Sequence, residues 1–267
     1  MTRRSPATPL VVANWKMQLG IEESHQRFTD LKARLKTVRG RYQTVVCPSF
    51  VSLGGMKKLL RATDIQLGAQ DVFWDDCGAY TGEVSPLNLR EAGVEYVIIG
   101  HSERRQLLGE TDTMIGRKMV SAFGHGLTPI LCVGETAHER NEGCHEMVVA
   151  RQLQAALRTA PPPIGQGRLY VAYEPIWAVG TGEAASSEVA LAMFNVILET
   201  LYERYSREQV ERSCRVLYGG SVDAENVTNY VHASAYHGVL VGGASLDPEK
   251  FASLIEQITK HFNSSTL

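Results

Sequence analysis

Three side chains able to carry charge or a proton stand just past short apolar runs: Lys16 after residues 10–13, His101 after 96–99 and Glu174 after 170–173. Such runs read as buried strands, so each group sits where solvent gives way to core. Gly100 precedes His101, and Ser102-Glu103-Arg104-Arg105 begins a polar segment after it. The positive end of a helix starting there disfavours the imidazolium, leaving a neutral ring able to donate a hydrogen bond to a substrate oxygen. Glu103, two residues on, offers Lys16 a partner. Taken singly, each has a plainer reading: a surface lysine, a hydrogen-bonded core histidine, a carboxylate in a strand-to-helix loop. Pro175 stops the strand just after Glu174, and Ile176, Trp177 and Val179 then run to Gly180-Thr181-Gly182. That is the composition of a stiff apolar lid hung between a proline and a soft hinge.

Glycine pairs mark the other half of the chemistry. Gly219-Gly220 follows the run 215–218 and Gly242-Gly243 follows 238–241. Side chains at such positions would keep a ligand from backbone N–H groups, and a phosphate fits between two such loops and a short helix start. Tight turns needing positive φ are the plain alternative. No metal site is expected, because His138, Cys144 and His145 lie among Glu139, Arg140, Asn141 and Glu142, a solvated surface. Neither a Ser/His/Asp order nor a dinucleotide fingerprint is present.

These groups need a scaffold that brings distant strand ends together. Apolar runs recur at 10–13, 44–47, 65–69, 96–99, 128–132, 170–173, 215–218 and 238–241, with helical periodicity at 21–38, 139–158, 187–205 and 248–261. Strands buried on both faces and alternating with amphipathic helices predict a parallel α/β sheet. Eight units without a composition break predict one (β/α)₈ barrel over residues 1–267, with 1–9 a short extension. An open doubly wound sheet is the runner-up, but the first run leads into Asn14-Trp15-Lys16-Met17 rather than a glycine-rich turn. The breaker cluster Pro161-Pro162-Pro163 with Gly165 and Gly167 reads as a loop on the far face. Polar and glycine-rich residues crowd one rim, after the first, fourth, sixth, seventh and eighth runs, which makes that rim the expected site.

With 44% hydrophobic residues the chain can bury a large core, and 27 basic against 29 acidic residues give no electrostatic footprint for nucleic acid. Leu10-Val11-Val12 is too brief for a signal core or a membrane span. Five cysteines without C-x-x-C spacing suit free thiols, so a soluble cytoplasmic protein is expected.

Asn14-Trp15-Lys16-Met17, Gly100 to Arg105, Tyr173 to Ala178, Gly180-Thr181-Gly182, Tyr218 to Val222 and Val241 to Leu246 together resemble the triosephosphate isomerase family, in order along nearly the whole chain. The resemblance implies interconversion of dihydroxyacetone phosphate and D-glyceraldehyde 3-phosphate without a cofactor. It makes Glu174 the base, His101 the neutral electrophile, Lys16 the cation that offsets enediolate charge and Asn14 a nearby donor. Glu103 then resembles the partner of Lys16, while Gly180, Ser221, Gly242 and Gly243 resemble the phosphate cradle. A lid over 175–185 is latched by Tyr218 and Ser221. Tyr80-Thr81-Gly82-Glu83 is similar to a loop entering a second subunit, with Thr81 near the neighbour's site, which implies a homodimer.

The departures from the family are Gln18 and Asp71 where Asn is common, Glu183 where the lid hinge usually carries Lys, and Ala235-Tyr236-His237 in place of Asp-x-Asp. The last is expected to cost Arg215 its carboxylate and to bear on stability. Two competing readings are an isomerase of a four-carbon ketose phosphate, and a non-catalytic phosphate-binding barrel. The intact Asn14-Trp15-Lys16 speaks against the first, and the presence of both Glu174 and His101 against the second.

Overall fold

A computed structural model of the chain describes residues 8–61, 63–163, 169–178, 184–231 and 235–264. Eight parallel strands close into a barrel in chain order: β1 (Leu10–Asn14), β2 (Gln43–Cys47), β3 (Ile65–Ala69), β4 (Tyr96–Ile99), β5 (Thr128–Val133), β6 (Leu169–Tyr173), β7 (Cys214–Tyr218) and β8 (Gly238–Val241). β1 runs beside β2 from Leu10↔Gln43 to Asn14↔Cys47, and beside β8 from Leu10↔Gly238 to Ala13↔Val241, which seals the barrel.

Why the strands read as unbroken apolar runs is visible in their two faces. Leu10, Val12, Val45, Cys47, Ile98, Ile130, Cys132, Ala172, Leu217 and Leu240 form one buried cluster with Tyr96 and Tyr170, the barrel interior. The alternating residues, among them Val11, Val46, Val97, Leu131, Val171, Val216 and Val239, join a second cluster with the helices. Those helices are α1 (Ile21–Leu35), α2 (Leu53–Leu59), α3 (Pro86–Glu91), α4 (Ser102–Leu107), α5 (Asp112–Gly124), α6 (Ala137–Asn141), α7 (His145–Leu157), α8 (Ser187–Arg204), α9 (Arg207–Ser213) and α10 (Pro248–Ser264). In α1 the spacing Ser24, Phe28, Leu31, Leu35 supplies the buried stripe. Each large side chain so buried contributes about 1.5–3 kcal/mol.

The helical stretch expected over 139–158 is two helices. Gly143 adopts φ +70, a left-handed conformation that ends α6, and α7 starts two residues later. The triple proline 161–163 lies in irregular chain between α7 and β6, on the amino-terminal side, while Gly165 and Gly167 lie outside the described residues.

At the seam, His237 stands where the family pattern has a carboxylate. Its N–H bonds to Val216 O (2.8 Å), its carbonyl accepts from Leu10 N–H (3.0 Å), and its Nδ1 accepts the Val216 N–H (3.1 Å). Arg215 donates to the carbonyls of Glu211 (2.9 Å) and Cys214 (2.6 Å).

Candidate active site

β1 delivers Asn14 to the barrel mouth, only 5% exposed, and Asn14 Oδ1 accepts the Lys16 N–H at 3.1 Å. Lys16 has φ +51 and is the one non-glycine residue with positive φ among the described residues. Such backbone costs on the order of 1–3 kcal/mol and persists only where neighbours over-determine it. Here they do. Gln70 Nε2 donates to the Lys16 carbonyl (2.7 Å), and the buried Trp15 indole donates to Ser245 O (3.1 Å). The strained turn throws the Lys16 ammonium across the mouth onto Glu103 Oε1, 2.6 Å away.

His101 caps α4. Its Nδ1 accepts the Glu103 N–H at 3.3 Å, which requires a lone pair on that nitrogen and places the ring proton on Nε2. Glu103 Oε2 is 3.6 Å from Nδ1, too far to compete as a hydrogen bond. Nε2 faces Glu174 Oε1 at 3.1 Å, while Glu174 Oε2 accepts the Ser102 N–H at 2.9 Å. Glu174 is 2% exposed, so both carboxylate oxygens are occupied by donors as burial demands. Beneath it, burial first and the Glu174 charge second push the Cys132 thiol well above its usual range, keeping it an inert core group.

The glycine pairs leave space at the rim, and positive φ is not what requires them. None of Gly219, Gly220, Gly242 and Gly243 is among the positive-φ glycines, which removes the tight-turn explanation. A Cβ at Gly219 would come 3.0 Å from Glu174 Cγ, one at Gly220 would strike the Tyr218 hydroxyl, and one at Gly242 would reach 3.3 Å from Lys16 Cε. Gly243 meets nothing and opens a 3₁₀ turn, Gly243–Leu246. A cavity of about 600 Å³ is lined by Asn14, Lys16, His101, Glu174, Ser221 and both glycine pairs, with Arg27 and Lys250 at its edge.

Some expected residues lie elsewhere. Thr81 is exposed and does not line this cavity. Tyr218 is fully buried, stacked on Tyr230 at 4.0 Å, its hydroxyl without a partner among the described residues. Gly180, the lid segment 179–182 and Glu183 lie outside the described residues. Two further rim residues, not among those expected from the sequence, are Gln70, after β3, and Glu135, after β5. Fully buried Glu135 accepts Tyr173 O–H (3.1 Å) and Trp177 Nε1–H (2.8 Å), with Arg140 Nε at 3.4 Å. The signal at Glu135 is a glycine and an acid, Gly134-Glu135, straight after an apolar run.

A parallel eight-stranded barrel with a carboxylate, a singly protonated imidazole and an ammonium converging at its carboxyl-terminal mouth belongs to the barrel enzymes that bind and work at that rim. Within that class the chain belongs to the triosephosphate isomerase family, whose model matches residues 9–258. It is 43% identical over 247 residues to a triosephosphate isomerase of Thermoanaerobacter sp. (strain X514), covering 92% of this chain and 98% of that one. It is 44% identical over 248 residues to that of Moorella thermoacetica, covering 92% and 97%. No group of His, Cys, Asp and Glu among the described residues is placed to hold a metal, and no described helix is long and apolar enough to cross a membrane.

Proposed function

We propose that this chain interconverts dihydroxyacetone phosphate and D-glyceraldehyde 3-phosphate by proton transfer through an enediolate. The observation that carries this reading is the meeting of Glu174, His101 and Lys16 in one cavity beside the open backbone at Gly242 and Gly243. Glu174 takes a proton from the carbon beside the carbonyl and returns it to the neighbouring carbon. To do so it must release the Ser102 N–H that now holds it. His101 Nε2–H, now held by Glu174 Oε1, must leave that oxygen as well to donate to the carbonyl oxygen, and Lys16 offsets the charge that develops there. Asn14 is a further donor on the same side. Ser221, Gly242 and Gly243 hold the phosphate, together with Gly180, while Glu103 orients Lys16. No cofactor enters this scheme.

The reading extends to a cytoplasmic homodimer. Phe73 packs within its own loop against Trp74 (4.0 Å) and Tyr80 (4.5 Å), which takes up part of that loop's apolar load. Tyr80 remains 44% exposed, Val51 71% and Met17 94%, apolar surface that a second copy would cover. In that assembly Thr81 borders the neighbour's site and Tyr218 latches the lid.

The test is turnover of D-glyceraldehyde 3-phosphate by the purified protein, with a four-carbon ketose phosphate as competitor. Preference for the longer sugar would replace the proposed substrate, and turnover of neither would leave a phosphate-binding barrel.

A further inference from the structure

The β5–β6 ladder runs to Val133↔Tyr173, and its last bonds lie on either side of Gly134: Glu174 N–H to Val133 O (2.8 Å) and Ile176 N–H to Glu135 O (3.1 Å). Gly134's own N–H and C=O meet no strand. Both go to one side chain of α7, with Gln152 Oε1 accepting Gly134 N–H at 2.9 Å and Gln152 Nε2 donating to Gly134 O at 3.0 Å. The amide thus does what another strand residue would do, and Gln152 is buried while it does so. Gly134 also has no slack toward β6, because a Cβ built on it would overlap the carbonyl of Glu174. Its φ is not positive, so contact with Glu174 is what requires a glycine here.

We propose that Gln152, outside the cavity, is a positioning residue: its two-point clamp on Gly134 sets where the Glu174 backbone, and hence its carboxylate, stands. This rests on the reading of Glu174 as the base. Without the clamp, two buried backbone groups lose their partners and Gly134 relaxes to find others. Its motion passes to Glu174, which it touches, while Ser221, Gly242 and Gly243 of the phosphate cradle follow other strands, β7 and β8. A base displaced by about 1 Å loses on the order of 10²-fold in rate.

Two variants test the clamp. Gln152→Met keeps the volume but makes neither bond; kcat should fall about tenfold or more, with inhibition by inorganic phosphate changed less than about twofold. Gln152→Glu accepts from Gly134 N–H when ionised but can donate to Gly134 O only when protonated, which burial favours. Its kcat relative to the parent chain should therefore climb as pH falls from about 8 to about 6, a recovery that mere damage to packing would not produce. A folded Gln152→Met with kcat within about twofold of the parent overturns the proposal. If that variant does not fold, a flat pH ratio for Gln152→Glu overturns it instead. Glu174→Asp in the same assay separates the two readings. A parent chain that is inactive, or a Glu174→Asp chain at full rate, refutes the proposed function and the clamp with it. An active parent, a crippled Glu174→Asp and normal Gln152 variants refute the clamp alone.

Discussion

Replacing His237 tests how the barrel seam responds to acid. Burial first, and the nearby Arg215 charge second, lower the His237 pKa from 6.5 to about 4. The geometry agrees, since Nδ1 accepts the Val216 N–H and cannot do so once protonated. Unfolded, the ring gains its proton as pH drops through about 6.5; folded, it does so only near about 4. In that window the unfolded chain binds a proton the folded chain refuses, so stability falls as pH falls. At about pH 5 the unfolded ring is protonated by a factor of about thirty while the folded ring stays neutral, about 2 kcal/mol at ~1.4 kcal/mol per tenfold. Near pH 7 the same difference is only about 0.2 kcal/mol. His237→Asn offers Oδ1 to Val216 N–H without titrating. Urea unfolding of both chains, at one protein concentration, should show the parent losing about 2 kcal/mol more than the variant between about pH 7 and pH 5. Equal losses in the two chains would refute the argument, because every other titrating group is common to both.

At Lys16 the compact ammonium sits 2.6 Å from Glu103 over a strained backbone, so Lys16→Arg should lose most activity and Lys16→Met at least as much. Near-parental turnover with arginine would reduce the lysine to a distant field. Gly242→Ala should push the Lys16 side chain aside and lower kcat/KM about tenfold; a normal kcat/KM would detach the close approach from function. Sedimentation should find a dimer at micromolar concentration, and a fully active monomer would count decisively against the assembly.

The barrel was legible because strands buried on both faces show as apolar runs whatever pairs with them, and the strand limits moved by only a residue or so. The rim was legible because polar and glycine residues interrupt those runs at one end. Contacts between distant segments were not. Nothing local to Gln152 says that its amide completes the β5 ladder, and nothing local to Gln70 says that it steadies Lys16. The break between α6 and α7 was hidden because the apolar period resumes after Gly143, so the interruption lies in one residue's φ rather than in the pattern. Asp71, noted only as a departure from the family pattern, proves to be buried, with Lys118 on both its oxygens (2.7 and 2.8 Å) and Arg104 on one (2.8 Å).

That last contact explains how a helix as short as α4 can hold the geometry at the barrel mouth. Six residues cannot keep a helix in water by their own hydrogen bonds. From His101 to Arg105, however, each residue is tied to something outside α4 or caps it. His101 and the Ser102 N–H meet Glu174 of the β6 rim, and Glu103 meets Lys16 of the β1 rim. Arg104 reaches Asp71 after β3 and Glu110 ahead of α5 (3.0 Å), where Lys118 also pairs with Glu110. Arg105 donates to Gly100 O (2.8 Å), Cys132 O on β5 (3.2 Å) and Asp112 (2.6 Å). Arg104, partly exposed, and the buried Lys118 thus share the buried carboxylates Asp71 and Glu110, and removing Lys118 would strand those two carboxylates at a cost of about 3–5 kcal/mol. The helix is therefore as firm as the strand ends it is tied to, and its first turn presents an imidazole proton and a backbone N–H to the same carboxylate. A change at Asp71 or Lys118, which touch nothing in the cavity, would loosen the turn that aims His101.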